Sequence, residues 1–151
     1  MALTQIGNSI NGEAAGDHSG LSVSMSSDGS VVAIGAPYNN YRSGHVRIYK
    51  NNSGKWEQIG SDIDGEESLD RSGWSVSLSS DGSVVAIGAH NNDGNGSNSG
   101  HVRIYKNNDG TWQQIGSDID GEAAYMYGDR SGQSVSLSSD GSVVAIGAPY
   151  N

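Results

Sequence analysis

An all-β chain of short antiparallel meanders is predicted by three features of the sequence. The phrase SSDGSVVAIGA occurs three times, at 26–36, 79–89 and 138–148. Longer matches surround it: GHVRIYKNN at 44–52 and 100–108, and QIGSDIDGE at 58–66 and 114–122, with a drifted copy, QIGNSINGE, at 5–13. Hydrophobic residues make up only 34% of the 151, and they fall in short runs separated by Gly, Ser, Asn and Asp. That distribution favours strands joined by tight turns over helices.

The repeat period is about 56 residues, and each copy reads as four strands. The first, SVSMS (22–26) or SVSLS (75–79 and 134–138), alternates apolar residues with Ser, the two-residue period of a strand. SDGS follows, and its Asp-Gly pair predicts a two-residue hairpin turn. The second strand, VVAIGA, is apolar at every position, so it must be covered on both faces. HVRIY alternates again, the turns NNSGK and NNDGT are tight, and WEQIG or WQQIG forms the fourth strand.

Four-stranded sheets repeating at this interval predict propeller blades packed face to face around an axis. Neighbouring blades would then sandwich the apolar second strand. A β-solenoid is the architectural rival, but its coils repeat in far fewer residues. The chain is read as a single repeat domain, residues 1–151: an outer strand at 3–8, blades at 20–60 and 73–116, and a partial blade at 133–148. About three blades do not close a ring of four to eight. Oligomerisation, or further blades of a longer propeller, is therefore expected to complete it. The near-identity of the copies also fits an engineered or recently duplicated array.

The net charge is −9, which repels phosphate backbones and argues against nucleic acid as a partner. Cysteine is absent, which excludes disulfides and Cys-ligated zinc and leaves the compartment open. No apolar run is long enough to span a membrane, and the first residues lack the pattern of a signal peptide.

The order DRSGWSVSLSSDGSVVAIGAHNND, followed by SGHVRIYKNNDGTWQQIG, resembles the FG-GAP repeats of integrin-α-like β-propellers and their bacterial relatives. Gly-Ala-Pro stands at 35–37 and 147–149, and as Gly88-Ala89-His90 in the middle copy. The family's Phe-Gly becomes Ser19-Gly20, Ser72-Gly73 and Ser131-Gly132. The resemblance implies a non-enzymatic scaffold or interaction module, an extracellular or cell-surface setting, and closure of the ring by an N-terminal strand. Many members carry a calcium loop between the first two strands. Here that turn offers one carboxylate, far short of calcium's six to eight oxygens, so the site is not carried over.

Binding is expected on the face bearing the long loops, with a protein or a glycan as partner. Asp62, Asp64 and Glu66, and again Asp118, Asp120 and Glu122, alternate along extended segments and form a candidate calcium cluster. The duller alternative is charge guarding an outer edge. Asn92, Asp93 and Asn95 lie in a long loop that also reads simply as a turn. Tyr125, Met126 and Tyr127 extend a third loop, either to touch a partner or to cover the terminal blade. Trp56 and Trp112 recur at one repeat position and read as packing residues, as Trp74 does less regularly. Arg47, Arg103, Arg71 and Arg130 are expected to neutralise nearby carboxylates. Gly73-Trp74-Ser75-Val76-Ser77 lacks the second glycine and helix of a nucleophile elbow, and His18, His45, His90 and His101 form no local metal motif, so catalysis is not expected. A lectin-like module with one shallow sugar site per repeat is the alternative function.

Overall fold

The computed structural model describes residues 1–122 and 127–151. It is all-β apart from one short turn, Asn39–Arg42, in which Asn40 and Tyr41 depart from right-handed helical geometry. The first sheet is a meander of β1 (Ser22–Met25), β2 (Val31–Ala36), β3 (His45–Asn52) and β4 (Lys55–Gln58), with β5 (Ile63–Asp64) also paired to β3. The second repeats it with β6 (Ser75–Leu78), β7 (Val84–Ala89), β8 (His101–Asn108), β9 (Thr111–Gln114) and β10 (Ile119–Asp120). A hairpin of β11 (Ser134–Leu137) and β12 (Val144–Gly147) begins a third.

The fourth strand expected at 56–60 is observed as β4, and a short second outer strand, β5, lies beyond the expected range. β4 pairs with the end of β3 and β5 with its start, and between them the chain kinks at Gly60, whose φ is +71°. The turns also differ from expectation. SDGS is not a two-residue turn: the last pair before it is Met25 with Val32, and Asp28 is not left-handed. Asp28 instead accepts bonds from the Ser26 and Ser30 hydroxyls and the Ser30 N–H, which favour a wider loop closed by Gly29 at φ +73°. The two-residue type I′ geometry belongs to the next turn, where Ser53-Gly54 and Asp109-Gly110 all have positive φ between paired strands.

The sheets pack face to face, β6 against β1 and β2, and β11 against β6 and β7. Val31, Ala33, Val46, Ile48 and Ile63 of the first sheet meet Val76, Leu78, Val85, Ile87 and Tyr105 of the second in one continuous core. VVAIGA is buried throughout in β7 and nearly so in β2, as a strand enclosed on both faces requires. The serines of the first strand face the following sheet. Ser22 and Ser75 donate to the carbonyls of Gly73 and Gly132 at 2.7 Å, while Ser24 and Ser77 accept the Leu78 and Leu137 amides.

Residues 3–8 form no paired strand. A strand needs a hydrogen-bonded neighbour, and the described residues place none beside them. They run along β4, where the Trp56 indole N–H donates to the Ile6 carbonyl at 2.9 Å. Trp112 does the same to Ile59, so each tryptophan packs and also tethers its sheet to the preceding outer segment.

Candidate functional site

The carboxylates of the repeated SDIDGE segment do not converge with one another. The kink at Gly60 turns Asp62 back over its own sheet, where Arg47 grips it with two 3.0 Å bonds. Glu13, from the preceding segment, also meets Arg47, and His45 Nδ1 lies 3.6 Å from Asp62. Glu66 reaches forward to the next sheet, 3.7 Å from Arg103 and 3.8 Å from His101, whose other carboxylate neighbour is Asp118 at 3.6 Å. Asp64 gives only its carbonyl, to Arg103.

The geometry therefore builds two repeat-equivalent latches, Glu13–His45–Arg47–Asp62 and Glu66–His101–Arg103–Asp118, each joining consecutive repeats. Asp120 and Glu122 belong to neither, and Glu122 accepts a bond from Asn151. Burial raises Asp62, but the bonds from Arg47 and Gln58 outweigh it and hold the carboxyl below its ordinary value. Burial pushes His101 down, helped by Arg103 and opposed by Asp118 and Glu66. Each latch brings one histidine nitrogen and two carboxylates within 4.8 Å of one another. In the first, Arg47 already fills the place of a cation. The SDGS turn between β1 and β2 fits calcium no better, because Asp28 is capped by its own serines and held at about 2, chiefly by the Ser30 N–H.

The long loops are occupied with one another. Asn92 is buried, donates to Asp70 at 2.9 Å and accepts the Gly94 amide. Asp93 accepts the Asn98 amide, and Asn95 donates to the Gly121 carbonyl. Tyr127 is exposed, whereas Tyr125 and Met126 lie outside the described residues. Ser75, the serine of the elbow-like stretch, has its hydroxyl on Gly132.

Arg47 and Arg103 meet carboxylates as expected, but Arg71 and Arg130 do not. Among the described residues neither makes an ion pair. Their guanidiniums lie over aromatic rings, Arg71 at 5.3 Å from Tyr38 and Arg130 at 4.8 Å from Tyr150. Their neighbours Asp70 and Asp129 are buried and already bonded, which leaves the arginines to the rings.

Two clefts also repeat. One, of about 330 Å³, is lined by Ser61, Asp62, Asp64, Tyr105, Thr111 and Trp112. Its counterpart, of about 240 Å³, is lined by Asn8, Ser9, Asn11, Tyr49, Lys55 and Trp56.

Residues 62–105, which run from the Asp62 latch through β5, β6, β7 and into β8, match the family model for the FG-GAP repeat. This segment is similar to an FG-GAP repeat. No curated protein matches the chain. The matched segment straddles the boundary between two sheets: it starts in the outer segment of one and ends in the third strand of the next. Both partners of the Glu66–Arg103 contact therefore lie inside the matched segment, where they join its outer part to the sheet that follows.

Proposed function

We propose that the chain is a non-enzymatic β-propeller interaction module that associates with further copies of itself through its open sheet faces, in an extracellular or cell-surface setting. One observation carries this reading. Val76 and Leu78 are 9% and 7% exposed against the first sheet, while their repeat equivalents Val23 and Met25 are 64% and 57% exposed. The opposite end leaves Ile115, Ile119 and Val143 open. The two ends are thus the two halves of an interface that the chain already makes internally, a head-to-tail relation that builds rings or filaments.

Light scattering of the purified chain tests it. A discrete multimer is expected, reduced to monomer by Val23→Asp with Met25→Asp. A folded, monodisperse monomer of the unaltered chain contradicts it. Among the described residues, no helix is long and apolar enough to cross a membrane.

The paired clefts favour a second reading, a lectin-like module with a shallow sugar site per repeat. Each cleft sets a Trp and a Tyr opposite short polar side chains, an arrangement that suits the apolar face and hydroxyl rim of a pyranose. A glycan array tests this directly, and the absence of any specific sugar signal removes it.

A further inference from the structure

Among the described residues, seven buried side-chain polar atoms have no hydrogen-bond partner, and six of them belong to Arg71, Ser72, His90, Asn91, Arg130 and Gln133. Unpaired buried polar atoms are scarce in folded proteins, so a concentration of them in three neighbouring segments calls for a partner. The charged donors among them are the Nε atoms of two arginines, beside the Ser72 hydroxyl and His90 Nδ1. The acceptors are the side-chain carbonyl oxygens of Asn91 and Gln133.

These residues lie along a row at the long-loop end of the sheets. The Arg71 guanidinium sits 5.3 Å from the Tyr38 ring and 5.7 Å from Trp74, and Trp74 is 4.3 Å from His90. Arg130 continues the row to Tyr150. Both arginines occupy the left-handed region, with φ of +57° and +53°, and His18 holds the same repeat position at +55°. Side chains other than glycine adopt that conformation at a cost, and such outliers gather at binding sites.

The charge balance makes the row unusual. In a chain with 17 acidic residues against 8 lysines and arginines, two neighbouring guanidiniums stand without a carboxylate. The four residues outside the described set, Ala-Ala-Tyr-Met, bring none. Asp70 and Asp129, next in sequence, are engaged by Asn92 and Asn151.

We propose that Arg71 and Arg130, with His90 beside them, bind a carboxylate side chain presented by a partner protein. Guanidinium matches carboxylate through two parallel N–H bonds, and it keeps its charge under all ordinary conditions. The Asn91 and Gln133 oxygens then accept backbone N–H groups of the same segment, which a phosphate ligand does not offer. A polyanion is disfavoured further by the net charge of −9. The site extends the interaction-module reading by naming the partner's chemistry, but it does not depend on self-association.

The test is calorimetric titration of the intact chain with a capped (Gly-Glu)3 peptide and, separately, with capped (Gly-Gln)3. Saturable binding of the glutamate peptide alone is expected. Arg71→Gln and Arg130→Gln should each weaken it about tenfold or more, the scale of a charge-assisted hydrogen bond. Lys106→Gln, on the exposed side of β8, should leave it unchanged. No saturable binding by the glutamate peptide overturns the proposal. So does equal binding of the glutamine peptide, a comparison that needs no variant to fold. Binding indifferent to both arginine changes, in variants with unaltered melting temperature, also overturns it. A monomer in light scattering would refute self-association while leaving this site standing.

Discussion

The tightest approach between sheets is made by a glycine, and that makes Gly88→Ala an informative perturbation. A Cβ at Gly88 would fall well inside 3.0 Å of the Gly132 carbonyl oxygen and of the Ser75 hydroxyl, which already donates to that oxygen at 2.7 Å. Neither neighbour has room to yield, since one is backbone of the next sheet and the other is fixed by its bond to it. Overpacking of this kind costs about 1–3 kcal/mol. Disrupting the Ser75 bond adds about 0.5–1.5 kcal/mol. At about 2–4 °C per kcal/mol for a chain of this size, the melting temperature should fall by roughly 3–18 °C. The protein supplies its own control. Gly147 stands at the same repeat position with no following sheet, and a Cβ there meets only Ser134 of its own hairpin, whose hydroxyl is free to rotate. Gly147→Ala should therefore be nearly neutral in the same thermal melt. Equal effects of the two substitutions would refute face-to-face packing at this contact.

Other outcomes follow from the same structure. His90 is held neutral at about 4, by burial first and then by Arg71 and Arg130, against an ordinary 6.5, so the unfolded chain binds its proton more readily. Stability should be fully present above about pH 6.5 and decline as pH falls toward 4. His90→Pro, which restores the residue found at Pro37 and Pro149, should flatten that decline in denaturant titrations; an unchanged pH profile would count against a buried neutral His90. Arg103→Met should leave Glu66 without its guanidinium partner, worth about 0–1 kcal/mol because Glu66 is half-exposed, and the Asp64 carbonyl without its 2.7 Å donor, worth about 0.5–1.5 kcal/mol; a loss well beyond about 2.5 kcal/mol would mean that the latch is far drier than its geometry. Calcium added to the metal-free protein should produce no saturable heat and no rise in melting temperature, since Asp62 is held by Arg47 of its own sheet while Glu66 faces Arg103 and His101 of the next. A stoichiometric calcium response would restore the cluster expected from their spacing.

The apolar second strand was legible because its sequence has no polar side to offer solvent, and only a neighbour on each face satisfies that. The first four strands of each complete repeat were legible through alternation and turn residues, and the fifth was not. The short strand β5 was hidden because two residues, Ile63 and Asp64, are too few to show a strand period inside a segment that reads as a loop after Gly60. The latches were invisible for a different reason. His45 and Arg47 sit two apart on one strand, a visible pattern, but their partner Glu13 comes from the preceding repeat and Asp62 from beyond a kink. Arg71 and Arg130 were assigned to nearby acids by proximity in sequence, which fails when those acids are buried and already bonded. Residues 3–8 read as a strand from their match to later copies, yet pairing depends on a neighbour that a sequence match does not guarantee.

Amide hydrogen exchange on the three identical VVAIGA segments tests the stacking most directly, because identical sequences share intrinsic exchange rates and any difference between them is structural. The second copy, β7, has hydrogen-bonded strands on both sides and a sheet on both faces, so it should be the slowest. The first, β2, is paired equally but has a sheet packed on one face only, which leaves Ile34 half-buried, and it should exchange faster. The third, paired only to β11, should be fastest of all. Equal protection of the first and second copies in a dilute, monomeric sample would contradict the claim that neighbouring sheets enclose this strand.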